Sequence, residues 1–428
     1  MQEHPVLSQI VLGYSPVIDR QRAVVATRIT VFPERPDACP DAADLLAALL
    51  DVWPAPPGSD ELQLNLRPLD PTAAGSHFAA APSSLTLGHP VSLNIAGEAL
   101  LRAVMEARPA PHLMLEVPAF MATDPAHAVV LQTLRERGSL LMLKGRPLTR
   151  LAPEVLACFS HSVVESQDER RTNAAPPPGV RKVSTVQSGT RSTLEVEQAF
   201  ERGAVAVMGW PLDDPLPKSS GRTRVPTDIQ VVMDLIKGVD REEPVPRLEA
   251  ILTRDPTLAF RLLRYLNSPA FGLTAEISSF AHAIMMLGYT RLRRWLALLL
   301  TSSSKSGIAK PLMHAAVRRG MLMEELVRGN ADAEMRGDMF ICGVFSLLDR
   351  LLQQPFDELL SSVPVSDRVQ QALRGAGGPY EPYLDLVKAI EQEAVFDIRE
   401  CTEKLLLGPA EVNRATLAAL HGAAQLDS

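Results

Sequence analysis

Short apolar strands alternate with helical segments through the first half of the chain, and this alternation restricts the fold more than any other feature. The strand segments are Ile10–Ile18, Val24–Val31, Val91–Ile95, His112–Val117, Ser139–Leu143 and Ala204–Met208. Between them fall the helical segments Asp41–Trp53, Gly97–Arg108, Pro125–Arg137 and Thr193–Arg202. A strand followed by a helix returns to pair in parallel with the strand before it, and enough such units close into a barrel. An α/β barrel is therefore expected over residues 1–212, with one or more units shortened, because a full eight-fold barrel typically takes about 250 residues. Two breaks interrupt the pattern. Ser166–Ser184, with Pro176–Pro178, reads as a polar loop, and Asp213–Gly221 (DDPLPKSSG) reads as an interdomain linker, since Pro, Ser and Gly disfavour helix and strand alike.

Beyond the linker the pattern turns helical, and residues 222–428 are assigned to an all-α domain. Its clearest stretch is Asp255–Leu300. Asp255 suits an N-cap, and Pro256 suits a first helical position that needs no N–H. Leu258, Leu262, Leu263 and Leu266 then share one face, and Asn267 with Pro269 ends the helix. Ser279 can cap the next helix, along Phe280, Ala283, Ile284 and Leu287, with Gly288 at the position that favours glycine. Thr290 opens a third helix, along Leu292, Trp295, Leu296 and Leu299.

Composition narrows the function classes. The net charge is −7, and neither half carries the basic excess that phosphate neutralisation demands, so nucleic acid is not an expected partner. The N-terminus lacks a basic region leading into an apolar core, and Trp295–Leu300 is far shorter than the ~20 residues of a membrane helix. Cys39, Cys158, Cys342 and Cys401 lie far apart without CxxC spacing, which points to buried reduced thiols and a cytoplasmic chain.

The opening string VLGYSPVIDRQRAVVATRITVF is similar to the start of EAL domains, the cyclic di-GMP phosphodiesterases, which are β/α barrels. The resemblance implies carboxylates at the strand ends that hold two divalent metals, and a Glu that assists the base. Several of those positions are altered here. The Glu of the EAL tripeptide aligns with Arg28, which puts a permanent cation where a metal-binding carboxylate belongs. Asn94 (VSLNIA) and Glu116 (LMLEVP) are retained. The Asp–Asp pair aligns with Lys144–Gly145, the base-assisting Glu with Arg191, and a late Gln–Gly pair with Met208–Gly209. Two remaining oxygen ligands cannot hold a two-metal centre, so no catalysis and no cofactor is expected. Read without the resemblance, Asn94 is a satisfied strand-end residue, and Glu116 pairs with Arg28 or Lys144 across the barrel mouth. As ligand-binding candidates, Arg28, Glu116 and Arg191 remain, because guanidinium groups bind phosphate bidentately.

The strings RDPTLAFRLLRYLNSPAFG and SSFAHAIMMLG resemble the HDOD family, a helical signalling module related to HD-domain phosphohydrolases. Where those hydrolases need a His–Asp pair for metal, this chain reads FICGVFSLLDRLL, Phe340–Leu352, with Asp349 but no histidine. His314 alone makes no metal site, and His282 reads as a core or interface residue. Arg291, Arg293 and Arg294 form a basic cluster that reads as a solvated face before it reads as a DNA-binding helix. Met285, Met286, Met321, Met323, Met335 and Met339 read as core, with an adaptable partner groove as the alternative. The expectation is a degenerate EAL-like barrel joined to an HDOD domain. Such a protein would act through protein partners in or near cyclic di-GMP signalling. The alternatives are a cyclic di-GMP receptor without hydrolysis and a residual phosphodiesterase.

Overall fold

The structure, a computed structural model, describes residues 3–35, 38–54, 90–166, 183–215, 227–252, 254, 280–302, 309–329, 331–360 and 365–427. The capped helix expected at Asp255–Asn267 and most of the expected linker lie outside these residues. The chain forms two compact units, Met1–Asp214 with Lys388–Leu417, and Pro215–Val387 with Ala418–Ser428. The sequence reading placed all of 222–428 in one helical domain. The structure instead groups 388–417 with the barrel, for a reason that lies in the first strand.

The first unit is a closed barrel whose eight strands follow chain order. They are β1 (Ile10–Asp19), β2 (Val24–Pro33), β3 (Val91–Ile95), β4 (Leu113–Pro118), β5 (Leu141–Lys144), β6 (Phe159–Glu165), β7 (Ser184–Ser188) and β8 (Ala206–Met208). All eight strands are present, and the shortening falls on the connections: β1 runs to β2 without a helix, and the helix before β6 spans only Pro153–Leu156. The two unforeseen strands, β6 (FSHSVVE) and β7 (STVQS), carry too many serines to read as apolar runs. From β2 to β8 the pairing is parallel throughout. β1 departs from the expected parallel sheet, being antiparallel to both β2 and β8. Its link to β2 is only residues 20–23, with Arg22 at φ 61°; so short a turn can join antiparallel strands only.

β1 meets β8 only from Val17 to Asp19, so its first half lacks a neighbouring strand on that side. Buried backbone N–H and C=O groups must find partners. Asn413, itself buried, supplies them: its Oδ1 accepts from the Leu12 N–H at 3.0 Å, and its Nδ2 donates to the carbonyls of Leu7 and Ile10 at 2.8 and 2.7 Å. The segment 388–417 thereby completes the barrel unit. It includes the end of a helix at Glu381–Glu391, a second helix at Val395–Lys404 and the start of a third at Pro409–Asp427.

Inside the barrel, Val17, Ala26, Met114, Met142, Val163, Val186, Ala206 and Met208 pack into an apolar plug. Side chains in a strand alternate faces with period two. Two residues further along β2, β4, β5, β6 and β7, the same face therefore carries Arg28, Glu116, Lys144, Glu165 and Ser188. An apolar floor thus supports a polar layer at the carboxyl ends of the parallel strands.

The second unit is helical. Its described helices before residue 388 include Thr227–Asp240, Phe280–Ser302, Ala309–Leu326, Ala333–Phe345 and Asp367–Arg374. Gly288, at φ 71°, breaks the Phe280–Ser302 run into two helices, a backbone state that glycine adopts without a Cβ clash. A Cβ on Gly343 would lie 2.5 Å from the Arg319 backbone, so Ala309–Leu326 and Ala333–Phe345 cross closely there. Arg293 pairs with Asp240 at 3.2 Å, while Arg294 pairs with Glu324 at 2.7 Å and covers the Phe340 ring at 3.8 Å. Two of the three basic-cluster arginines are thus paired. Met323 and Met339 are core residues, and Met321 and Met335 are half-buried. Cys158 and Cys342 are buried, but Cys39 is exposed in the loop before the first helix and Cys401 is half-buried, which corrects the expectation of four buried thiols. No helix among the described residues is long and apolar enough to cross a membrane.

Two outcomes follow from these anchors. Asn413→Ala removes three bonds and leaves buried backbone groups unpaired, and is expected to cost about 2–4 kcal/mol in urea unfolding, with no loss of strand content in the folded state. The second concerns His4, whose Nδ1 meets Asp44 Oδ1 at 2.6 Å and whose Nε2 meets Asp51 at 3.3 Å. Burial works against the imidazolium, yet the two carboxylates raise His4 above its ordinary 6.5. Burial likewise opposes the Asp44 carboxylate, but the Val6 N–H and His4 hold it below 3.8. The histidine contribution is fully present below pH 6.5 and is lost as pH rises through the raised folded value; the aspartate contribution is present above pH 3.8 and is lost on acidification. His4→Gln should therefore lower the urea midpoint more at pH 5.5 than at pH 8.5.

Candidate functional site

Four of the five site residues read from the sequence come together in the polar layer. Arg28 on β2 grips Glu116 on β4 with two parallel bonds, Nε to Oε1 at 2.7 Å and Nη2 to Oε2 at 2.8 Å. Both side chains are buried. Ser92 on β3 adds a bond to Glu116 Oε1 at 2.9 Å. Asn94, at the end of β3, donates to Thr30 Oγ1 at 3.1 Å and accepts from Lys144 Nζ at 2.8 Å. Arg28, Glu116, Asn94 and Lys144 therefore belong to one bonded layer.

The fifth residue is elsewhere. Arg191 lies in the loop after β7, is exposed, and bonds Asp213 at 2.9 Å. Its exposed position removes it from the layer.

A residue that the sequence reading missed takes its place. Glu393, between the helices Glu381–Glu391 and Val395–Lys404, accepts from Arg28 Nη1 at 3.1 Å, from Thr30 Oγ1 at 2.7 Å and from Ser15 Oγ at 2.8 Å. It stands 365 positions from Arg28, and no local pattern marks it. Ser92 was legible in principle, two residues before Asn94 on the same strand face.

The electrostatics follow from this packing. Burial disfavours the Arg28 charge, but Glu116 and then Glu393 outweigh it and hold the guanidinium protonated more firmly than usual. Burial would push the Glu116 carboxyl up; Arg28 reverses this and holds it below the ordinary carboxylate value. Lys144 is pushed down, first by burial and then by the Arg28 charge.

This donor set does not fit the paired divalent metals that the EAL resemblance implies. Both Glu116 oxygens are engaged by Arg28, and a second cation, Lys144, holds the Asn94 oxygen. A divalent ion there would face two fixed positive charges with one carboxylate already taken. Among the described residues, no group of three or more His, Cys, Asp or Glu side chains is placed to hold a metal.

Beside the layer, outside the carboxyl ends of β3 to β7, opens a cleft of about 550 Å³. Lys144, Gly145, Arg146, Glu165, Ser188 and Phe120 line it, and the Phe120 ring is largely exposed. The mouth at strand carboxyl ends is where β/α barrels bind ligands.

Comparison with known proteins bears on each half. Residues 225–354 match the HDOD domain family, so the chain carries an HDOD domain after a closed eight-stranded β/α barrel. The uncharacterized protein YuxH of Bacillus subtilis is 27% identical over 282 residues, covering 65% of this chain and 64% of that protein. The cyclic di-GMP phosphodiesterase CdgJ of Vibrio cholerae is 28% identical over 188 residues, covering 41% of this chain and 44% of that protein. The matches thus span less than two thirds of either relative. Among solved structures, the PaMucR phosphodiesterase in complex with c-di-GMP covers 49% of this chain and 97% of its own at 17% identity, with a TM-score of 0.28. An EAL enzyme in its cGMP-bound form covers 47% of this chain and 60% of its own at 12% identity, with a TM-score of 0.30.

The ion pair makes a direct prediction. Glu116→Ala strands a buried guanidinium, and is expected to destabilise the barrel by about 3–5 kcal/mol in urea unfolding. Replacing all three charged partners together, Arg28→Met with Glu116→Leu and Glu393→Gln, should recover most of that loss, because the cost lies in buried charge left without a partner.

Proposed function

We propose that this chain is a non-catalytic signal-transduction protein of the cytoplasm that works through protein partners, in or near cyclic di-GMP signalling. The observation that carries the reading is the buried Arg28–Glu116 fork. It fills the barrel mouth with an internal ion pair, where the EAL resemblance implies metal-bound water as nucleophile. The signalling context is supported by the HDOD match and by the relative from Vibrio cholerae, which is named a cyclic di-GMP phosphodiesterase.

A second reading, a cyclic di-GMP receptor without hydrolysis, is favoured by the cleft. Its volume and its exposed Phe120 ring suit a ligand with planar bases, and Lys144 and Arg146, which stand in the lining beside Glu98 and Glu165, can meet phosphate oxygens. Arg191 would contribute little there, being paired outside the layer.

The deciding experiment incubates the full chain with cyclic di-GMP and Mg²⁺ or Mn²⁺, and follows both hydrolysis and calorimetric heat. The expected result is no linear dinucleotide product. Metal-dependent turnover that disappears in Glu116→Gln would overturn the non-catalytic reading. Saturable heat without turnover would favour the receptor over the scaffold.

A further inference from the structure

The Glu393 carboxylate is an unusual occupant for a barrel mouth, because it comes from the far end of the chain. Its bonds to Arg28 Nη1, Thr30 Oγ1 and Ser15 Oγ bring donors from two strands onto one carboxylate. Two further observations place residue 393 in a tight turn fitted against β1. Its backbone lies at φ 56°, in the left-handed region that L residues other than Asn and Asp seldom adopt. Facing it on β1 is Gly13, where a Cβ would stand 3.1 Å from Glu393 Cα and Cγ and from the Ile390 carbonyl. The absent side chain at position 13 makes the cradle into which the turn settles.

If Glu393 leaves, the Arg28 Nη1, the Thr30 hydroxyl and the Ser15 hydroxyl lose their shared acceptor. Donors left unpaired in a buried site cost free energy, so the vacated position calls for another acceptor. Within the polar layer, Arg28 and Lys144 would then face Glu116 and Glu165, and the site would have lost the carboxylate that accepts from Arg28 Nη1. Convergent donors that include a guanidinium edge match a phosphate-type oxyanion.

We propose that Glu393 is a built-in anion that latches the segment Lys388–Leu417 onto the barrel mouth, and that an external phosphate-type oxyanion competes with it for Arg28, Thr30 and Ser15. Binding of the anion frees the turn at 393 and loosens the helix Val395–Lys404, while Asn413 keeps the end of the segment on β1. The latch goes beyond the functional reading above, and stands whether the protein signals through a partner or through a nucleotide.

The test uses the full chain, with inorganic pyrophosphate as the probe at constant ionic strength. Hydrogen exchange is read by mass spectrometry on peptides covering Glu391–Lys404, with β4 and β5 peptides reporting barrel integrity. In the wild type, pyrophosphate should speed exchange over Glu391–Lys404 and leave β4 and β5 protected. Glu393→Gln should exchange fast there without the anion and bind pyrophosphate about tenfold more tightly by calorimetry, the reciprocal effect that linkage requires. Gly13→Val, which crowds the turn without removing a charge, should speed exchange in the same peptides. Wild-type exchange in Glu393→Gln, or unchanged pyrophosphate affinity, would overturn the latch. If Glu393→Gln lost protection in β4 and β5, the same readings taken on Gly13→Val decide the matter.

Discussion

The buried fork between Arg28 and Glu116 is the interaction around which the barrel unit is organised. A guanidinium inside a barrel is tolerable only when each of its hydrogen-bonding edges has an acceptor, because desolvation of a lone charge costs several kcal/mol. Glu116 serves two of those edges and Glu393 serves a third. Thr30 and Ser92 join the carboxylates, Asn94 joins Thr30, and Lys144 joins Asn94. A cation at position 28 thus recruits acceptors from β4 and from the C-terminal segment. The same arrangement removes the free carboxylate oxygens that divalent-metal chemistry would use.

The second organising constraint is the reversed first strand. A four-residue link forces β1 antiparallel to β2, and its short overlap with β8 leaves backbone groups that Asn413 must satisfy. Among the bonds that join segment 388–417 to the barrel, two sets differ in kind. One is amide to backbone at the start of β1, and the other is carboxylate to guanidinium at the mouth. Where Asn413 repairs a gap in the sheet, Glu393 balances a charge.

Much of the barrel was legible in the sequence because period-two alternation and helix caps are local. β3 ran from Val91 to Ile95 as read, and the helix after β2 differed only at its ends. β6 and β7 escaped because their serines pair with neighbouring strands, and no single-segment pattern records that. Arg28, Asn94, Glu116 and Lys144 were legible through the resemblance to EAL domains, and each lies on a strand whose position the local pattern marks. Legibility failed at Arg191, whose loop position leaves its side chain to Asp213, and at Glu393, whose partners are remote in the chain.

The sequence by itself determined most of the strands and helices of the first half and the HDOD-like strings of the second half, because each depends on neighbours within a few residues. Tertiary structure alone decided how the barrel closes, which residue answers the Arg28 charge, and where 388–417 belongs. Those outcomes depend on pairing free backbone groups and buried charges between segments hundreds of positions apart, and spacing along the chain carries no record of such pairs.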